Sequence, residues 1–100
     1  MYEMLVGLEV SDNEIYAQYR AAMKPILATF EGAFGYDFMV SEVLLSQVSE
    51  PINRVFTINF PTQLSANNFF EDNDYQSIKS QYFEASVRNT VIIASYEKQA

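Results

Sequence analysis

Four tyrosines carry the spacing in this chain that most resembles a binding site: Tyr16, Tyr19, Tyr75 and Tyr82. Tyr16 and Tyr19 stand three apart and share one face of a helix, where a phenol at a pocket mouth could donate a hydrogen bond to a bound carbonyl or quinone. Tyr75 and Tyr82 are two helical turns apart and could look into the same cavity as Tyr19, giving a tyrosine-lined pocket suited to an aromatic or polyketide-like ligand. The same spacing equally describes aromatic core packing, in which each buried hydroxyl still needs a partner.

Other polar residues point to structure more than to chemistry. Glu9 and Asn59 fall on strand faces, where a satisfied interface hydrogen bond accounts for them, and Arg54 is placed to pair with Glu42 across a hairpin. Glu71, Asp72 and Asp74 suggest a calcium loop, but the glycine and terminal glutamate of that loop are missing, so helix capping explains them without a metal. There is no His and no Cys. That removes the usual neutral-pH general base, the imidazole and thiolate metal ligands, and any disulfide framework. No phosphate-binding loop, dinucleotide fingerprint or nucleophile elbow occurs, and no cofactor is expected.

The elements that must hold these residues follow from hydrophobic period. Tyr2 to Val10 alternates, with Tyr2, Met4, Val6, Leu8 and Val10 on one parity, as in a strand with one buried face. Ser11-Asp12-Asn13-Glu14 reads as a capping box, with Ser11 as N-cap and Glu14 reaching back. Ile15, Tyr19, Ala22, Met23, Ile26, Leu27 and Phe30 then form an apolar helical stripe ending near Gly32, and Pro25 within it should bend or divide the helix.

Phe34 to Leu44 and Arg54 to Phe60 alternate again and make a β-hairpin turned at Ser49-Glu50-Pro51. Thr62 is placed as the N-cap of a second helical region carrying Leu64, Ala66, Phe69 and Phe70. The acidic turn at 71–74 breaks that region before Tyr75, Ile78, Tyr82 and Phe83 resume it. Asn89 to Tyr96, with Val91-Ile92-Ile93-Ala94, suits a strand buried on both faces. The order is βαββαβ over a single domain, residues 1–100. This is the α+β, ferredoxin-like split βαβ, with two helices on one face of a four-stranded antiparallel sheet.

Length and charge narrow the partners. One hundred residues make a modest core, although 49% apolar content with eight Phe and seven Tyr rules out a disordered chain. The formal charge is −7 and the six cations are dispersed, which disfavours nucleic acid and anionic membranes. No apolar run reaches membrane-spanning length and the first residues lack a basic leader, so a cytoplasmic location is expected.

Parity leaves Leu5, Glu9, Met39, Val43, Val55, Thr57 and Asn59 on the sheet face away from the helices. That mixed face is too apolar for a solvated surface, so it is expected to meet a second copy of the chain.

Glu9-Val10-Ser11-Asp12, Tyr16-Ala17-Gln18-Tyr19-Arg20, Phe69-Phe70-Glu71-Asp72-Asn73-Asp74-Tyr75-Gln76 and Val91-Ile92-Ile93-Ala94-Ser95-Tyr96 together resemble a bacterial family of short domains of unknown function. The family lies in the dimeric α+β barrel superfamily, which also holds antibiotic-biosynthesis-type monooxygenases and muconolactone isomerases. The resemblance implies a homodimer whose sheets pack face to face, with a small cavity between each sheet and its own helices.

Three functions are compatible with these residues. One is a small-ligand-binding or regulatory homodimer. Another is a cofactor-independent monooxygenase or isomerase acting on a small aromatic or polyketide-like substrate, in which Glu9 or a tyrosine would have to be the ionisable group. The third is a structural interaction module without a cavity.

Overall fold

The computed structural model describes residues 1–99. Its strands are β1 (Tyr2–Val10), β2 (Ala33–Met39), β3 (Arg54–Phe60) and β4 (Val87–Glu97). Its helices are α1 (Asn13–Thr29), α2 (Gln63–Glu71), α3 (Asn73–Ile78) and α4 (Glu84–Ser86), with a π-helical segment, Lys79–Phe83, joining α3 to α4. The sheet order is β2-β3-β1-β4 with antiparallel neighbours throughout, the arrangement expected of the ferredoxin-like split βαβ.

One face of the sheet is buried beneath the helices. Val6 and Leu8 of β1 and Phe56, Ile58 and Phe60 of β3 meet Tyr16, Tyr19, Met23 and Leu27 of α1, Ala66 and Phe69 of α2, and Tyr75 of α3. Phe69 centres an aromatic cluster, with ring centroids 4.4 Å from Tyr75 and 5.6 Å from Phe60. Contacts of this kind contribute about 1 kcal/mol each beyond the area they bury.

Local signals set the helix starts, with one substitution of partner. Thr62 caps α2 as expected, its hydroxyl accepting from the Ser65 amide at 3.1 Å. At α1 the cap is Asp12, which accepts from the Ile15 amide at 3.0 Å, and not Ser11. Ser11 is drawn instead to the far end of the chain, where its amide and hydroxyl both donate to the Ser86 carbonyl, at 2.7 and 3.2 Å. A carboxylate one residue later is an equally good cap, so the tertiary contact decides the register.

Pro25 neither divides α1 nor ends it. The carbonyl it deprives of a donor belongs to Ala21, which, like Pro25, is exposed, so water can satisfy it. The α1 terminus puts Glu31 at φ 58°, in the left-handed region. Gly32 follows because a Cβ there would come within 2.4 Å of Leu27 Cδ1 and 2.9 Å of Phe60 Cε1.

The second strand departs most from the sequence reading. β2 ends at Met39, so Glu42, Val43, Leu44 and Leu45 lie in the long β2–β3 connection and not on the sheet. A bulge between Phe34 and Asp37 also inverts the parity, placing Asp37 opposite Phe56 and Met39 opposite Arg54 on the helix side. Phe38, which simple alternation from Phe34 would put under the helices, instead stacks, exposed, on Tyr36 with ring centroids 5.7 Å apart. The Tyr36 amide marks the bulge by donating to the Thr57 hydroxyl at 2.8 Å.

β4 starts two residues early, at Val87, and is an edge strand. The expectation of burial on both faces therefore does not hold within one chain, and Ile92 and Ile93 stay about half exposed. Its ladder to β1 skips Ile93, which sits at a bulge between the Leu5–Ala94 and Val6–Ile92 pairs. The β2–β3 connection folds back toward this strand, bringing Ile52 and Ile93 over Gly7 on the outer face.

Candidate functional site

A cavity of about 210 Å³ lies between the sheet and the helices. Its floor is β1 and β3, through Val6, Leu8, Phe56 and Ile58, and its roof is α1, α3 and the π-helical segment. Met23 and Phe34 extend the apolar wall, and Lys79, Thr90 and Ile92 form the more exposed rim. Among the described lining residues there is no carboxylate, although the chain as a whole is acidic.

Three of the four tyrosines singled out in the sequence line this space. Tyr16 and Tyr19 reach it from α1 with ring centroids 5.6 Å apart, and Tyr75 enters from the first turn of α3. Asp72 sets that turn by capping α3, accepting from the Tyr75 amide at 3.0 Å, which gives the acidic segment its structural role. The Tyr19 and Tyr75 hydroxyls are hydrogen-bonded at 2.8 Å.

Tyr82 is not in the wall. It lies half-buried in the π-helical segment, its carbonyl accepting from the Ser86 hydroxyl at 2.8 Å. The wider turn rotates the helix and carries Phe83 into the wall instead, 5.1 Å from the Tyr19 ring. A π turn inside a helix is not readable from residue spacing.

The most informative residue of the cavity is one that the spacing argument passed over, Arg20. It is 9% exposed and lines the cavity from α1. Its Nε donates to the Tyr16 hydroxyl at 2.8 Å and its Nη1 to Asp37 Oδ2 at 3.2 Å. Nη2 is buried and has no hydrogen-bond partner among the described residues. The guanidinium carbon lies 3.9 Å from the Phe34 ring centroid and 4.8 Å from that of Phe56, in cation–π contact with both.

Arg54 pairs with Asp37, not with Glu42, through bonds of 2.7 and 2.8 Å. The β2 bulge is the reason, since it turns the Asp37 carboxylate to the helix side. Only the four-residue interval from Tyr16 to Arg20 could have suggested this cluster in the sequence.

Electrostatics assign roles to these groups. Burial pushes the Tyr16 hydroxyl above its ordinary pKa despite the opposing Arg20 charge. Burial likewise raises Tyr19 and Tyr75, and the Tyr75 hydroxyl adds to the effect at Tyr19. All three are therefore neutral donors near pH 7, not bases. The hydrogen bond from Arg54 holds Asp37 below the usual carboxylate range, and Arg54 is raised in return.

The residues expected on the outer face are dispersed. Leu5, Val55 and Asn59 are half-buried there, and Thr57 is buried beneath the β2 bulge. Glu9 accepts from Asn89 Nδ2 at 2.6 Å and is not part of the cavity wall. Met39 is exposed at the end of β2, and Val43 lies in the β2–β3 connection. A buried carboxylate, Glu3, belongs to this face as well, accepting from the Tyr96 hydroxyl at 2.6 Å.

No helix among the described residues is long and apolar enough to cross a membrane. No curated protein matches the chain. Among solved structures it is similar to a protein of unknown function from Rhodopseudomonas palustris, with a TM-score of 0.79 at 16% identity over 99% of this chain and 82% of the other. A Mesorhizobium loti protein, described as of the dabb family with a ferredoxin-like fold, matches with a TM-score of 0.64 at 13% identity, covering 99% and 97% of the two chains.

A Bacteroides fragilis protein, described as dimeric, of unknown function and ferredoxin-like, matches with a TM-score of 0.55 at 11% identity, covering 97% and 95%. At these identities the likeness carries the fold and nothing finer. Residues 4–96 match the family model for a domain of unknown function, DUF1330, and with that span covered the chain belongs to the DUF1330 family.

Proposed function

We propose that this protein is a homodimer that binds a small, largely apolar organic molecule in the cavity between each sheet and its helices. The observation that carries the reading is the cavity itself: about 210 Å³ of apolar and aromatic wall with Tyr16 and Arg20 set into it. A void of about 150 Å³ is enough to admit benzene, so one ring with a substituent is the right scale. Binding is favoured over isomerase or oxygenase chemistry because the tyrosines facing the cavity are neutral donors and no carboxylate lines it among the described residues. Proton abstraction needs a base.

The dimer rests on the outer face and the β2–β3 connection. Phe38, 55% exposed, stacks on Tyr36 at the β2 edge of the sheet, while Leu45, 93% exposed, lies in the β2–β3 connection near Ile93 of β4. Apolar groups gathered in this way call for a cover, and the similar protein from Bacteroides fragilis is described as dimeric.

A thermal-shift screen of single-ring organic compounds tests the cavity. Binders should raise the melting temperature, because ligand at about 100 times its Kd stabilises by about 2.7 kcal/mol. Thr90→Trp, an exposed substitution at the rim, should abolish that shift while leaving the fold intact. A screen with no binder, or shifts unaffected by Thr90→Trp, would remove the reading.

A further inference from the structure

We infer that the molecule taken up by this cavity carries a carboxylate, or a planar anion of the same shape, and that Arg20 is the residue that meets it. The inference rests on the ligand-binding reading above and adds the chemical class.

Charge is the first argument. Two guanidinium groups, Arg20 and Arg54, share one carboxylate, Asp37. Arg54 takes both of its oxygens at 2.7 and 2.8 Å, leaving Arg20 a single contact of 3.2 Å on an oxygen already engaged. The cluster thus holds one uncompensated positive charge, on the more buried of the two arginines. A buried cation with an unmet donor is costly, and a carboxylate is the partner whose geometry fits a guanidinium edge.

Hydrogen-bond direction is the second. The Tyr16 hydroxyl accepts from Arg20 Nε, so its own proton is left for another acceptor. Nε and Nη2 share one edge of the planar guanidinium, which makes the unpartnered Nη2 and the Tyr16 hydroxyl neighbours. One carboxylate can accept from both. In the Tyr19–Tyr75 pair one hydroxyl donates and the other keeps a free proton. These residues thus bring donors in want of an acceptor to a wall that is otherwise aromatic and aliphatic apart from Lys79 and Thr90 at its rim.

Lys79 at the rim is the third. It and Arg20 are the cationic residues of the lining, and an acidic chain that gathers cations at one cavity favours entry of an anion there.

Benzoate and its neutral isostere benzamide separate the possibilities, measured by titration calorimetry on the full chain with toluene as the apolar reference. Benzoate should bind roughly tenfold or more tightly than benzamide, as expected for a charge-assisted bond. Arg20→Met should bring the two within about a factor of two, whatever it does to the affinity for toluene. The wild-type comparison needs no variant, so it stands even if Arg20→Met fails to fold.

Equal affinity for benzoate and benzamide in the wild type would overturn the anion inference and leave the ligand reading in place. A benzoate preference that survives in folded Arg20→Met would overturn the assignment to Arg20. Binding of none of the three would overturn the inference together with the reading beneath it.

Discussion

The hydroxyl of Tyr19 lies 2.8 Å from the hydroxyl of Tyr75, joining α1 to α3 across 56 positions of sequence inside the core. Both side chains are almost wholly buried, so each phenol depends on the other for its partner. Removing one hydroxyl strands the other. Tyr19→Phe or Tyr75→Phe should each cost about 1–2 kcal/mol by urea denaturation, and the double variant little more than either alone. Additive losses would mean that the two hydroxyls do not depend on each other.

Alkali provides an independent check on the same residues. Burial raises Tyr16, Tyr19 and Tyr75, so they should remain neutral in the folded protein at a pH where a free tyrosine, of pKa about 10, has ionised. A raised folded pKa gives stability that is complete below the unfolded value and is lost as pH climbs above it. Phenolate absorbance should therefore show these three of the seven tyrosines ionising only together with loss of circular dichroism.

Asp37 acts at the opposite end of the scale. Its folded pKa is depressed by the Arg54 hydrogen bond, so its contribution is whole above the unfolded carboxylate value of about 3.9 and declines as pH falls through the folded value. Asp37→Asn should destabilise the protein by about 1–3 kcal/mol at pH 7 by leaving Arg20 and Arg54 unpaired. That difference should narrow progressively in acid, as measured by denaturation at a series of pH values.

Gly32→Ala tests the close approach at the end of α1. Its methyl would meet Leu27 and Phe60 at distances that packed carbons do not adopt, and both neighbours are buried and unable to yield. A loss of about 1–3 kcal/mol is expected in chemical denaturation. Gly7→Ala should cost less, because its nearest neighbour, a methyl group of Ile52, is 3.1 Å away.

Phe38→Asp addresses the dimer. Phe38 stacks on Tyr36 outside the core, so a charge there should leave the fold unchanged and shift the mass by light scattering from dimer to monomer. A wild-type protein that is already monomeric at micromolar concentration would remove the homodimer from the proposal.

Local patterning determined most of the architecture. Alternation identified β1 and β3 with the correct inward face, the stripe from Ile15 to Phe30 identified α1, Thr62 announced the start of α2, and the acidic turn at 71–74 marked the break before α3. These features depend on neighbours within about four residues, which is the range over which side-chain period and capping act.

Whatever depended on partners distant in sequence stayed hidden. The bulge that turns Asp37 inward and Phe38 outward arises from pairing with β3, and Ser11 gives up its cap because Ser86 is beside it. The π turn likewise exchanges Tyr82 for Phe83 in the cavity wall.

Tyr16, Tyr19 and Tyr75 were visible in the sequence as candidates, but what they surround was not. The sequence by itself determined a βαββαβ chain with aromatic helical stripes, because period and caps are local properties. Only the tertiary structure decided that two arginines divide one aspartate beside an apolar cavity, because that arrangement exists only where α1, β2 and β3 meet.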